Sequence, residues 1–98
     1  MKIVYISGRI TGLPESEAIE NFNKAETALL EKGYTVVNPI KINHDHDKTW
    51  ESYMKEDIKA MCSCDCIYMI DGWEQSRGAK IEYQLAKDLG MELIKLQQ

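Results

Sequence analysis

Two carboxylates and one glycine-bracketed turn are the parts of this sequence best suited to chemistry. The turn lies in Asp71-Gly-Trp-Glu-Gln-Ser-Arg-Gly-Ala-Lys-Ile-Glu82, where Gly72 and Gly78 flank it and Glu82 follows closely. Ser76 is placed to cap a helix, because its hydroxyl can accept a hydrogen bond from a free N–H of the first turn. Such free N–H groups, with the helix dipole, favour an anion. The junction is therefore expected to hold a phosphate, with Glu82 beside it for covalent chemistry. Asp57 is the second carboxylate of interest, since it interrupts the semi-apolar side of a predicted helix. Two carboxylates flanking a glycosidic bond can divide the work: one attacks the anomeric carbon and the other protonates the leaving group. The plainer alternatives are a solvated helix glutamate and a surface aspartate pairing with Lys55 or Lys59.

These residues need a scaffold, and the apolar pattern supplies one. Cys66-Ile-Tyr-Met-Ile70 reads as the core of a strand over residues 65–70, followed by a helix over 79–89 that Gly90 stops and a strand over 91–96. Lys2-Ile-Val-Tyr-Ile6 is too apolar for a surface strand and suits a parallel sheet covered on both faces. Ser7-Gly-Arg-Ile-Thr-Gly-Leu-Pro14 follows as a turn-rich loop whose glycines permit close backbone approach to a ligand. Arg9, set in that loop, is expected to face a phosphate. A helix is predicted from about Ser16 or the nearby glutamates to Lys32, with Ile19, Phe22, Ala25, Ala28 and Leu29 on one stripe and Gly33 as its stop. Residues 34–37 form a second strand that Asn38-Pro39 ends. Thr49 caps a helix over 50–61, with Met54, Ile58 and Met61 on an apolar stripe and Tyr53, Asp57 and Ala60 on a neighbouring face.

The order is βαβαβαβ. It predicts a single domain over residues 1–98, an α/β three-layer sandwich of flavodoxin-like or deoxyribosyltransferase-like form. Its four-stranded parallel sheet is expected in the order 2-1-3-4, with right-handed crossovers. Parallel strands end at one edge, so the loops at 7–12, from 38 onward and at 71–78 should converge there.

Composition removes several classes of function. The net charge is −4 and no block of Lys or Arg occurs, which argues against a nucleic-acid polymer as partner but leaves small nucleotides open. No run of about 18 apolar residues exists to cross a membrane. The apolar start is too short for a signal peptide, so a cytoplasmic protein is expected. The three cysteines lie in Cys62-Ser-Cys64-Asp-Cys66, a spacing that suits neither a disulfide framework nor the common zinc sites, and reduced thiols are expected. His44 and His46 alternate with aspartates in an irregular stretch that sets no ligand geometry, so no metal is expected. Trp50 and Trp73 read as core or interface aromatics, with base stacking as the alternative for Trp73 in its loop. Asp71 either braces that loop or contacts a sugar or base. A chain this short buries a modest core, and oligomerisation would help it.

At this point the residues resemble a known family. Tyr5-Ile-Ser-Gly-Arg-Ile-Thr-Gly12 is similar to the opening strand and phosphate loop of the nucleoside 2-deoxyribosyltransferase superfamily, which includes the 2'-deoxynucleoside 5'-monophosphate N-glycosidases. Asp57-Ile58, followed by Cys64-Asp65 and an apolar strand, is similar to its middle segment. Ser76-Arg-Gly78, with Glu82 four residues after the glycine, is similar to its nucleophile motif. Within the superfamily the chain most resembles a small group found in bacteria and phages.

The resemblance implies that Glu82 is a nucleophile forming a glycosyl-enzyme and that Asp57 is the acid/base. It places Tyr5 under the sugar or against Glu82. It puts Ser7, Gly8, Arg9 and Ser76, with Gly78 beside them, at the 5'-phosphate end. A serine at position 76 is similar to the monophosphate hydrolases, whereas the nucleoside transferases tend to carry an acid there. The implied activity is hydrolysis or (deoxy)ribosyl transfer on a nucleoside 5'-monophosphate or nucleoside. No cofactor is needed, and a homodimer or larger homo-oligomer is expected. The chain departs from the family in ending soon after the fourth strand and in its Trp73-Glu-Gln75 loop, although an Asp-Gly-Trp loop occurs in a cytidylate-hydrolase branch. The alternative is a non-catalytic nucleotide-binding protein with the same pocket.

Overall fold

A computed structural model describes residues 2–42 and 49–96. The elements run β1 (Ile3–Ser7), α1 (Glu15–Glu31), β2 (Thr35–Val37), α2 (Trp50–Cys62), β3 (Cys66–Met69), α3 (Arg77–Asp88) and β4 (Glu92–Ile94), with short 3-10 turns at Pro39–Lys41 and Trp73–Gln75. The sheet is four-stranded in the order β2-β1-β3-β4, and every pairing is parallel. This is the expected flavodoxin-like three-layer α/β sandwich.

The continuous apolar run of β1 explains the layering. Side chains alternate along a strand, so Val4 and Ile6 turn to one face and Tyr5 to the other. Val4 and Ile6 pack with Phe22, Ala25 and Leu29 of α1. Tyr5, with Ile67 and Met69 of β3, packs against Met61 of α2 and Ala79 and Ala86 of α3. Both faces of the central strands are thereby removed from water, which is the main stabilising term of such a domain. All three cysteines are free thiols; Cys64 and Cys66 are buried and Cys62 is exposed. Among the described residues no helix is long and apolar enough to cross a membrane.

The helix ends follow local chemistry. Ser76 Oγ accepts from the Ala79 N–H at 3.2 Å, so α3 begins at Arg77, two residues before the predicted start. Thr49 Oγ1 accepts from the Ser52 N–H at 3.2 Å, as expected of the α2 cap. Helix α1 starts at Glu15, one of the glutamates expected beside Ser16. Pro14 occupies the N-cap position without a side-chain hydrogen bond, and its carbonyl accepts from the Glu17 and Ala18 N–H groups. A proline lacks the N–H that a helix start would leave unused, and Glu15 and Glu17 suit the positive end of the dipole. Strands β2, β3 and β4 are one to three residues shorter than predicted.

Candidate active site

A cleft of about 650 Å³ opens at the carboxyl end of the parallel strands, in the range of small-molecule sites. Tyr5, Ser7 and Gly8 reach it from the end of β1, Asp57 from α2, and Ser76, Gly78 and Glu82 from the start of α3. Seven of the residues singled out by type and spacing thus meet in one cavity. The second loop joins them through Pro39 and Ile40. Asn38 fixes that loop. It is buried, it accepts from the Ile40 N–H at 3.1 Å, and its Nδ2 donates to Asn23 Oδ1 at 3.2 Å and Glu26 Oε1 at 3.1 Å on α1. Lys41 closes the brace with a 2.7 Å ion pair to Glu26.

Glu82 lies at the floor of the cleft and is only 5% exposed. Its two oxygens are held separately. The Tyr5 hydroxyl donates to Oε2 at 2.9 Å and the Ser7 hydroxyl donates to Oε1 at 2.6 Å. Burial raises the Glu82 pKa, and the Ser7 and Tyr5 hydrogen bonds pull it back toward the charged form. Burial, then the negative charges of Glu82 and Asp57, raise the Tyr5 pKa, so its phenol stays a donor.

The Asp57 pKa is also raised by burial. Burial first, and then the charges of Glu82 and Glu56, push its pKa up to about 7. It can hold a proton near neutral pH and release it, as a general acid/base must. Two carboxylates thus share one cleft, both with pKa values raised by burial, with the two hydroxyl donors on Glu82 favouring its charged form.

The cleft also uses residues that the sequence argument left aside. Trp50, Tyr53 and Met54 line it together with Asp57. The spacing i, i+3, i+4, i+7 was visible as one helix face, but the Met54, Ile58, Met61 stripe drew attention to a neighbouring face as the apolar one. The opposite wall is apolar, with Ile19 and Phe22 from α1 facing Pro39 and Ile40.

Three predicted contacts do not line the cleft. Trp73 packs on Tyr83, ring centroids 4.6 Å apart, half-buried against the core cluster of α2 and α3. Asp71 is exposed, at the tight turn where Gly72 has φ of +92°. Arg9 folds back on its own loop, where its Nε donates to the Thr11 carbonyl at 3.3 Å. Gly8 lines the cleft, but its lack of a side chain answers a packing need: a Cβ there would stand 2.9 Å from Ile70 Cβ. His44 and His46 lie outside the described residues.

Comparison with curated proteins gives no match. Residues 2–95 match the model of the family described as a domain of unknown function, DUF4406, and the chain, covered almost from end to end, belongs to that family.

Proposed function

We propose that this protein breaks the N-glycosidic bond of a nucleoside 5'-monophosphate or nucleoside through a covalent glycosyl–Glu82 intermediate, releasing the sugar to water or to an acceptor base. One observation supports this above the rest. Glu82 and Asp57 are buried in the same cleft, Glu82 stabilised as an anion by two hydroxyl donors and Asp57 able to carry a proton to about pH 7. The similarity of the Tyr5–Gly12, Asp57–Ile58 and Ser76–Glu82 segments to the deoxyribosyltransferase superfamily points the same way.

In the first step the C1'–N bond breaks and its electron pair goes to the base nitrogen, which takes the proton of Asp57. A bond forms from C1' to a Glu82 oxygen as oxocarbenium character collapses. In the second step water attacks C1', Asp57 recovers a proton from that water, and the C1'–O bond to Glu82 breaks. With a base as acceptor, the same step transfers the sugar.

The substrate's charge is open to a second reading. The described lining residues include the carboxylates Glu15, Asp57 and Glu82 and no Lys, Arg or His. That balance favours an unphosphorylated nucleoside, while the capped N-terminus of α3 at Ser76 favours a phosphate. A base-release assay with matched nucleosides and 5'-monophosphates, ribo and deoxy, settles both points when run with wild type and Glu82→Gln. Release by wild type alone, with a sugar adduct on Glu82 by mass spectrometry, is the expected result. Binding without release, unchanged in Glu82→Gln, would replace the enzyme with a nucleotide-binding protein.

A further inference from the structure

We infer that Ser7 is a positioning residue for Glu82, holding the carboxylate in its reactive orientation, and not a ligand for a substrate phosphate. The inference adopts Glu82 as the reacting group of the proposed function. Its own ground is the geometry of one hydroxyl.

Ser7 is the last residue of β1 and is 1% exposed. Its Oγ donates to Glu82 Oε1 at 2.6 Å, in the range of a charge-assisted O–H···O⁻ bond. A serine hydroxyl has one proton to donate, and here it is donated to Glu82 Oε1. The backbone fixes the position: Ser7 stands opposite Met69 in the sheet, and its carbonyl accepts from the Ile70 N–H at 2.8 Å. The next residue, Gly8, is packed against the Ile70 side chain so closely that a Cβ would not fit without a shift. With the backbone so fixed, the Ser7 hydroxyl cannot donate to a phosphate without leaving Glu82.

Tyr5 alone would leave the carboxylate one donor on one oxygen. With Ser7 on the other, its plane is set from two points of a single strand, Tyr5 and Ser7, which share a face at period two. Each oxygen keeps a lone pair for the sugar carbon. The titratable groups facing Glu82 are Tyr5 from β1 and Asp57 from α2. Neither can replace Ser7, because Tyr5 already serves Oε2 and Asp57 opposes the charge.

The test follows the carboxylate directly. Wild type, Ser7→Ala and the nearly isosteric Ser7→Cys are labelled at the glutamate carboxyl carbon, and Glu82 is assigned by its loss in Glu82→Gln. Circular dichroism confirms that each variant is folded. The Glu82 midpoint should rise by about one pH unit or more in both variants, because a hydrogen bond to the charged form has been removed. An unchanged midpoint in a folded variant overturns the inference. This readout needs no substrate, so it stands apart from the glycosidase assay. If wild type does release a base, kcat should fall with KM nearly unchanged, and the acid limb of the pH profile should move up with the midpoint. A rise in KM confined to phosphorylated substrates, with kcat intact, would instead make Ser7 a phosphate ligand.

Discussion

The Tyr5 hydroxyl donates a 2.9 Å hydrogen bond to Glu82 Oε2 inside the core, joining residues 77 positions apart in the chain. Tyr5 is fully buried, so nothing in the solvent competes for that oxygen. Tyr5→Phe keeps the ring and removes only the donor. The variant should fold, lose about 1–2 kcal/mol at pH values where Glu82 is charged, and recover most of that loss when Glu82 is protonated in acid. Turnover should fall by about tenfold to a hundredfold through kcat. Urea unfolding at both pH values, alongside base-release kinetics, checks the two halves.

Asp57 costs the fold stability at the pH where it is useful. Its pKa rises from an ordinary 3.8 to about 7 on folding, chiefly by burial. Between those values the native state holds a proton that the unfolded state has released. Stability from this group is therefore fully present below the unfolded pKa and is lost as pH rises through the folded one. Asp57→Asn removes the charge that the site resists. The variant should match wild type near pH 4 and exceed it near pH 8 by on the order of 3 kcal/mol, while base release collapses. Equal stability of the two proteins near pH 8 would mean that Asp57 is not desolvated as its burial indicates.

The same group should set the alkaline limb of activity. A proton on Asp57 is needed for departure of the base, so kcat/KM should fall tenfold per pH unit above about 7. On the acid side activity should fall as Glu82, raised by burial, takes up its proton. The two carboxylates interact, so both limbs report on the pair. A substrate with an activated leaving group needs less protonation, and with it the alkaline limb should weaken or vanish. Persistence of an identical limb would locate it elsewhere.

Much of this arrangement was legible in the sequence for physical reasons. An unbroken apolar β1 suits a buried parallel strand, and β–α alternation then gathers the loops after the strands at one edge. Ser76 announced its cap by residue type. What the sequence concealed were choices made in three dimensions. Trp73 sits in the loop nearest Glu82, yet Tyr83, on the turn of α3 above, takes its ring. Trp50 read as a core or interface residue because nothing local reveals that the start of α2 lies beside the start of α3. There Arg77 stacks on the Trp50 ring at 4.4 Å. The hydroxyl of Ser7 read as a loop group because a register of one residue separates a strand's last inward position from the loop that follows.

The two cleft glycines should respond differently to alanine. At Gly8 the new methyl would meet Ile70 Cβ at 2.9 Å, an atom tied to the backbone of the residue after β3. At Gly78 it would meet Met54 Sδ at 2.9 Å, near the flexible end of its side chain. Overpacking costs about 1–3 kcal/mol when neighbours cannot yield. Gly8→Ala should lie in that range. Gly78→Ala should cost less than about 1 kcal/mol, helped by alanine's better helix propensity, and should show its effect in KM as Met54 moves into the cleft. Thermal denaturation with Michaelis constants for both variants tests the contrast.

The two tryptophans should separate binding from stability. Trp50 is half-buried and lines the cleft, one face held by Arg77. An aromatic ring in that place offers a flat apolar surface to a nucleobase. Trp73, also half-buried, lies against Tyr83 and does not line the cleft. Trp50→Ala should weaken nucleoside or nucleotide binding by about tenfold, with a stability loss near that of its cation–π contact, about 0.5–1 kcal/mol. Trp73→Ala should leave binding within about twofold and lose roughly 2–4 kcal/mol by opening a cavity. These are the only two tryptophans in the chain. Ligand quenching of intrinsic fluorescence should therefore survive in Trp73→Phe and disappear in Trp50→Phe. The reverse pattern would put the base on the Trp73 loop, the alternative reading of that residue in the sequence.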